Sequence, residues 1–190
     1  MKKKLMIRIF DILIASLAIL IFSPLMIFLY LLIYMENKSP FFYQIRIGKN
    51  MNEFTLIKFR TMSIGTRSCA THLIDNTKIT KLGNILRKSK LDELPQLWNV
   101  LKGNMSLVGP RPCLPSQLEL IDIRKKYRLY KYLPGITGLA QIKGIDMSDP
   151  LLLSKIDAKM MQNLNLYKYF YYLIRTFFGS GFGDRVNKIS

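Results

Sequence analysis

The sequence predicts an α+β fold, mainly helical, in which an N-terminal membrane segment carries one compact domain. Three observations lead there. Residues 9–34 form an apolar run interrupted only by Asp11, Ser16, Ser23 and Pro24. Two stretches of alternating apolar and polar residues, 41–47 and 53–59, flank a turn with Gly48 and Asn50, the pattern of a β-hairpin. Much of the chain beyond residue 78 carries apolar residues at helical spacing. The division falls after residue 36, with 1–36 in the membrane and 37–190 as a cytoplasmic domain bearing membrane-interface helices.

Composition narrows the partners. The 190 residues suit one domain with an appended element, and a net charge of +17 with 49% hydrophobic residues points to an anionic membrane surface. A nucleic-acid binder is usually basic and polar, so no nucleic acid is expected. Cys69 and Cys113 have neither metal-site spacing nor the numbers for a disulfide framework, which fits a reduced compartment. His72 is the one histidine and reads as a surface residue. Zinc sites and Ser-His or Cys-His triads need imidazoles this chain lacks, so catalysis would fall to carboxylates, cations and a hard metal.

The apolar run is too long for a signal peptide and has no small-residue cleavage site. Its length allows a membrane crossing. Pro24, preceded by Ser23, removes a ladder hydrogen bond at mid-run, and the Ser23 hydroxyl can back-bond to the freed carbonyl. Cations flank both ends, Lys2, Lys3, Lys4 and Arg8 before and Lys38, Arg46, Lys49, Lys58 and Arg60 after. Both flanks therefore prefer the cytoplasm, and a helix broken at Ser23-Pro24 that dips into one leaflet and returns satisfies both. Asp11 either pairs with an interfacial cation or snorkels and caps.

In the hairpin, Lys58 and Arg60 share a side-chain parity, which suits a common anion as well as a solvent-facing edge. Residues 63–77 read as a loop, and from Lys78 a short helix carries Ile79, Leu82, Ile85 and Leu86 with Arg87 at its end. In the next helix Leu94, Leu97, Trp98 and Leu101 recur at i, i+3, i+4, i+7, with Gly103 as a stop. Pro95 belongs in the first turn, which puts Asp92 at or next to the N-cap. Carboxylates there complement the helix dipole, and Arg87, Lys88, Lys90 and Arg111 surround Asp92 and Glu93 in sequence. Spacing alone leaves open both a capped helix with a solvated basic face and an anion-handling site.

Residues 115–132 read as a helix with Leu118, Ile121, Tyr127 and Leu129 on an apolar side and Arg124, Lys125, Lys126 and Arg128 on a basic one, suited to the headgroup level or to a surface packed on the core. Residues 133–144 are turn-rich, with Gly135 and Gly138 allowing unusual backbone angles. Residues 164–178 crowd aromatics into about 22 Å of helix, short for a crossing, and suit the membrane interface or the protein core. The glycine-rich tail 179–190 is expected to be mobile.

The run KSKLDELPQLWNVLKGNMSLVGPRP at 88–112 resembles the signature of the bacterial sugar transferases, the monotopic phosphoglycosyl transferases. The resemblance continues through RIFDILIASLAILIFSPL, FFYQIRIGKN and IKFRTM upstream and PGITGLAQIKG downstream, and so covers most of the chain. It implies a re-entrant helix broken at Ser23-Pro24 and a protein on the cytoplasmic face of the bacterial inner membrane. It also implies transfer of a sugar-1-phosphate from a UDP-sugar to polyprenyl (undecaprenyl) phosphate, with release of UMP. In that reading Asp92 is the nucleophile and carries an aspartyl-phosphosugar, and Glu93 holds Mg²⁺. Lys58, Arg60, Arg87 and Arg111 neutralise phosphates, and Gln141 contacts the donor. Where the family continues Val-Asn-Gly-Arg after that glutamine, this chain has Ile142-Lys143-Gly144-Ile145, so donor contacts there differ or Lys143 supplies the charge. Compact members commonly take an N-acetylated amino sugar. Two rival readings are a non-catalytic, membrane-anchored basic adaptor for polyanions and a transferase that keeps the fold but has lost donor binding.

Overall fold

The computed structural model describes residues 2–66 and 78–178; Cys69, His72, most of the loop at 63–77 and the tail 179–190 lie outside the described residues. The chain opens with helix α1 (Lys2–Asn37), 36 residues that stay helical through Pro24. The carbonyl that Pro24 leaves without a ladder donor is that of Leu20, and it accepts from Ser23 Oγ at 2.8 Å. The back-bond expected from the Ser-Pro pair is thus formed.

One stripe of α1 packs on the domain on both sides of that proline. Before it, Ala15 is fully buried with Leu97, Val100 and Leu107; after it, Leu29 and Ile33 are buried with Phe59 and Leu86. The opposite face exposes Leu13, Leu17, Leu20, Ile21, Ile27 and Leu31. Covering such side chains is worth about 1 kcal/mol or more each, so this face has a non-aqueous partner, as membrane association supplies.

Strands β1 (Phe41–Ile47) and β2 (Glu53–Phe59) form the expected antiparallel hairpin, in register from Phe41 against Phe59 to Ile47 against Glu53. The turn, Lys49–Met51, places Asn50 and Met51 at positive φ. Helix α2 (Lys81–Ser89) is capped by Thr80, which accepts from Gly83 N. Gly83 lies so close to Thr61 that a Cβ would come within 2.1 Å of the Thr61 carbonyl oxygen. Helix α3 (Gln96–Leu101) buries Leu97 and Val100, while Trp98 is 47% exposed and leaves the apolar face assigned to it from spacing. Asn99, which the spacing puts off that face, is buried instead and joins α3 to β2 by giving Nδ2–H to the Thr55 carbonyl (2.7 Å) and accepting from Ile57 N (3.1 Å).

Strand β3 (Ser106–Val108) runs parallel to β4 (Gly135–Thr137). The glycines there serve proximity: a Cβ on Gly135 would sit 2.0 Å from Gly109 N. Neither Gly135 nor Gly138 has a left-handed φ, and Gly138, at φ 179, is extended, so the freedom these glycines allow is not used for a left-handed turn. Between these strands α4 covers only Leu118–Lys126, because Arg128 turns left-handed and a 3-10 turn, Leu129–Lys131, follows. The expected two sides are kept in part, with Ile121 and Leu129 buried and Lys125, Lys126 and Arg128 exposed, while Leu118 is exposed and Arg124 is buried.

The chain closes with α5 (Leu139–Ile142), α6 (Pro150–Asn163) and α7 (Leu166–Phe177). Helix α6 is not among the elements expected from the sequence, although Asp149-Pro150 is a start signal and the Asp149 carboxylate accepts from Leu152 N. Helix α7 buries Tyr169 and Tyr172 and exposes Tyr167, Phe177 and Phe178, so its aromatics divide between core and surface. It lies beside α1, with Phe10 edge-on to Phe170. Asp11 neither snorkels nor pairs with an interfacial cation. It is 1% exposed, and its Oδ1 accepts from Ser106 Oγ (3.0 Å), Leu107 N (2.9 Å) and Tyr169 Oη (2.8 Å), joining α1, β3 and α7.

Candidate active site

Helix α2 ends where Lys90 turns left-handed at φ 60, and a 3-10 turn, Leu91–Glu93, leads on to Pro95 and α3. Asp92 therefore sits in that turn and does not cap α3, whose N-cap is Pro95; Glu93, Leu94 and Pro95 separate the acid from the helix. Asp92 is 2% exposed. Its neighbour Glu93 lines an adjoining cleft of about 400 Å³.

Arg111 reaches across this cleft to Glu93, Nη2 to Oε1 at 2.9 Å. Its placement is built from several elements. Pro110 and Pro112 restrict the backbone on either side. The Gly135 amide N–H donates to the Pro110 carbonyl at 2.9 Å. Arg124 Nη1 donates to the Arg111 carbonyl at 2.7 Å, and Arg46 Nη1 to the Pro112 carbonyl at 2.9 Å. Arg124 is held in turn by Asp157, Nη2 to Oδ2 at 2.8 Å, and Arg46 by Gln44 Oε1. Burial pushes the Asp157 carboxyl up to about 6, with Arg124 pulling the other way. From the sequence Arg46 reads as a flanking charge and Arg124 as part of a basic face, so both supporting roles are missed there. The usable signal is the β1 parity that puts Gln44 and Arg46 on one side.

Gln141 of α5 lines the same cleft, and its buried Nε2 and Oε1 have no hydrogen-bond partner among the described residues. A buried amide without partners is costly, so this one suits a polar ligand. The other expected residues lie elsewhere. Lys58 and Arg60 share parity as expected and both lie against the Phe42 ring, at 5.6 and 5.7 Å. Arg60 donates to the carbonyls of Ser39 and Phe41, and neither cation lines the cleft. Arg87 is buried on Thr61 Oγ1 at 2.9 Å, and its Nη1 has no acceptor among the described residues. Lys143 ends α5, exposed to solvent.

Besides Glu93, Arg111 and Gln141 the cleft is lined by Lys90, Thr137 and Thr176 and by apolar Leu107, Ile136, Leu173 and Phe177, with Phe22 from α1 next to Ser23 and Pro24. One cavity thus joins charged groups to the membrane helix at its proline. No group of three His, Cys, Asp or Glu side chains is placed to hold a metal among the described residues. Glu93 is the carboxylate in the cleft lining, in keeping with an ion such as Mg²⁺ that is bound through one or two carboxylates plus substrate phosphates.

Residues 2–181 match the model of a family described as bacterial sugar transferase. Among curated relatives, the uncharacterized sugar transferase EpsL of Bacillus subtilis is 44% identical over 72% of this chain and 68% of its own length. The UDP-N-acetylgalactosamine-undecaprenyl-phosphate N-acetylgalactosaminephosphotransferase of Aeromonas hydrophila is 36% identical over 83% of this chain. The undecaprenyl-phosphate galactose phosphotransferase of Salmonella typhimurium is 37% identical over 72%. The chain spans 39% and 32% of the lengths of these last two.

Proposed function

The chain belongs to the bacterial sugar transferase family, and on that premise we propose that it moves a sugar-1-phosphate from a UDP-sugar to undecaprenyl phosphate. The observation that carries this reading is the mixed lining of one cleft, in which Glu93, Arg111 and Gln141 share a cavity with apolar side chains that include Phe22 of the membrane helix. A polyanionic donor suits the polar groups and a polyprenyl acceptor the apolar ones.

In this reading an Asp92 carboxylate oxygen attacks the β-phosphorus of the donor. The bond from that phosphorus to the bridging oxygen breaks, and UMP leaves with the electron pair. The acceptor's phosphate oxygen then attacks the same phosphorus, and Asp92 departs as a carboxylate, leaving polyprenyl diphosphate sugar. Attack requires the Leu91–Glu93 turn to present Asp92, now buried, to the cleft. Arg111 offers its fork to the transferring phosphoryl group, held in place through Arg124 and Arg46, while Gln141 pairs with donor polar groups. Glu93 would hold Mg²⁺, which when bound offsets diphosphate charge.

The protein acts from the cytoplasmic face of the inner membrane, with α1 entering one leaflet and returning at Ser23-Pro24. Support comes from the packing of α1 on one domain on both sides of Pro24, since a straight crossing would pull that charged domain into hydrocarbon. The test is UMP release from UDP-galactose and UDP-N-acetylgalactosamine in the presence of undecaprenyl phosphate, with trapping of a labelled phosphosugar on the protein. Asp92→Asn should abolish both; a variant that keeps a substantial fraction of turnover would remove Asp92 as nucleophile.

A further inference from the structure

A second cavity, about 290 Å³, lies at the start of α1 and shares no lining residue with the cleft. Its cations come from three segments: Lys4 and Arg8 of α1, Lys49 of the hairpin turn and Lys131 of the 3-10 turn after α4. Arg8 is committed to the carbonyls of Val100 (2.7 Å), Leu101 and Met105, and Asp11, the one carboxylate in the lining, is committed to Ser106, Leu107 and Tyr169. The floor is therefore balanced within the protein. Lys4, Lys49 and Lys131 are exposed, and Lys4 and Lys131 lie against the same ring, Tyr132, at 5.7 and 5.0 Å. Three exposed ammonium groups at the rim of one cavity, with no carboxylate in its lining beyond the committed Asp11, make a site that attracts an anion.

The remaining lining is apolar, including Ile7, Val108, Leu133 and Leu164, and the exposed face of α1 continues from Lys4 as Leu5, Ile9 and Ile12. An inorganic anion would leave that surface uncovered. We propose that this cavity binds the phosphate headgroup of an anionic glycerophospholipid on Lys4, Lys49 and Lys131, with the acyl chains along α1, so that one bound lipid fixes where the helix enters the membrane.

The test uses the full chain in mild detergent and counts retained lipid by native mass spectrometry during titration with phosphatidylglycerol, phosphatidylcholine or inorganic phosphate. One phosphatidylglycerol should bind in clear preference to phosphatidylcholine. Removing one lysine near such a surface weakens binding about fivefold, so Lys4→Gln, Lys49→Gln and Lys131→Gln together should weaken it on the order of a hundredfold. A control with the same charge loss at exposed Lys102, Lys155 and Lys159 should retain the lipid. Equal binding of the two lipids, retention by the cavity triple variant, loss in the control, or displacement by millimolar phosphate would each overturn the proposal. UMP release measured on the same samples reports on the transferase reading separately, because none of these lysines belongs to the cleft.

Discussion

Replacing Asp157 by asparagine tests whether the Arg111 loop is held from behind. The Arg124–Asp157 pair is 2.8 Å apart with side chains 3% and 0% exposed, so neither charge has water to fall back on. Asparagine keeps an oxygen for Arg124 but removes the countercharge, and because burial already favours the neutral carboxyl the loss should stay near that of one charge-assisted hydrogen bond, about 1.5–3 kcal/mol. For a chain of this size that is on the order of 10 °C in Tm, readable by thermal unfolding in detergent. Arg124→Met with Asp157→Leu removes both charges and should recover most of the loss, leaving a large coupling energy in the double-mutant cycle. The pH dependence has a definite sign. The folded Asp157 carboxyl stands at about 6 against an ordinary value of 3.8, so the folded state takes up its proton first and wild-type stability at this site falls as pH rises through that window. Between pH 5 and pH 7 wild type should lose on the order of 1 kcal/mol relative to Asp157→Asn. A single-variant loss under about 1 kcal/mol, or a pH trend of the other sign, would refute the reasoning.

Three further outcomes are expected. Glu93→Ala should lose the stimulation of UMP release by Mg²⁺, and wild-type turnover that is equal in EDTA and in Mg²⁺ would remove the metal from the site. Tyr169→Phe deletes one of three donors to Asp11 while leaving the other two, so it should cost about 1 kcal/mol in unfolding; a loss as large as that of Asp11→Ala would mean the hydroxyl carries the whole junction. Single cysteines at Lys38 and Lys102, on α1's far end and the domain, should label from the same face of sealed vesicles; labelling from opposite faces would establish a crossing helix.

What the sequence makes legible is local and periodic. The alternating pattern over 41–47 and 53–59 matches the spans of both strands, whereas the face of β1 is inverted, with Gln44 and Arg46 buried and Tyr43 and Ile45 exposed. The Ser23 back-bond is legible because Pro24 names the carbonyl it orphans. Asp92 falls one element earlier than spacing puts it, since nothing in the sequence advertises the separate 3-10 turn, Leu91–Glu93, that follows left-handed Lys90. Arg124 reads as one residue of a helix face and is held by a carboxylate 33 residues on, a pairing that spacing does not encode. Glu93, Arg111 and Gln141 meet as the resemblance implies, whereas Lys58, Arg60 and Arg87 are held outside the cleft lining by Phe42, by backbone carbonyls and by Thr61.

The junction at Asp11 has a consequence for how the molecule is made. Its tyrosine donor lies 158 residues further along, so the anchor emerges from the ribosome with a carboxylate whose last partner has not been synthesised. At roughly 5–20 residues per second, on the order of ten seconds pass before that hydroxyl exists. Until then the greasy segment waits half-finished, and a nascent chain cut before α7 would leave its acid one donor short and uncovered on the α7 side, a ready mark for quality-control proteases.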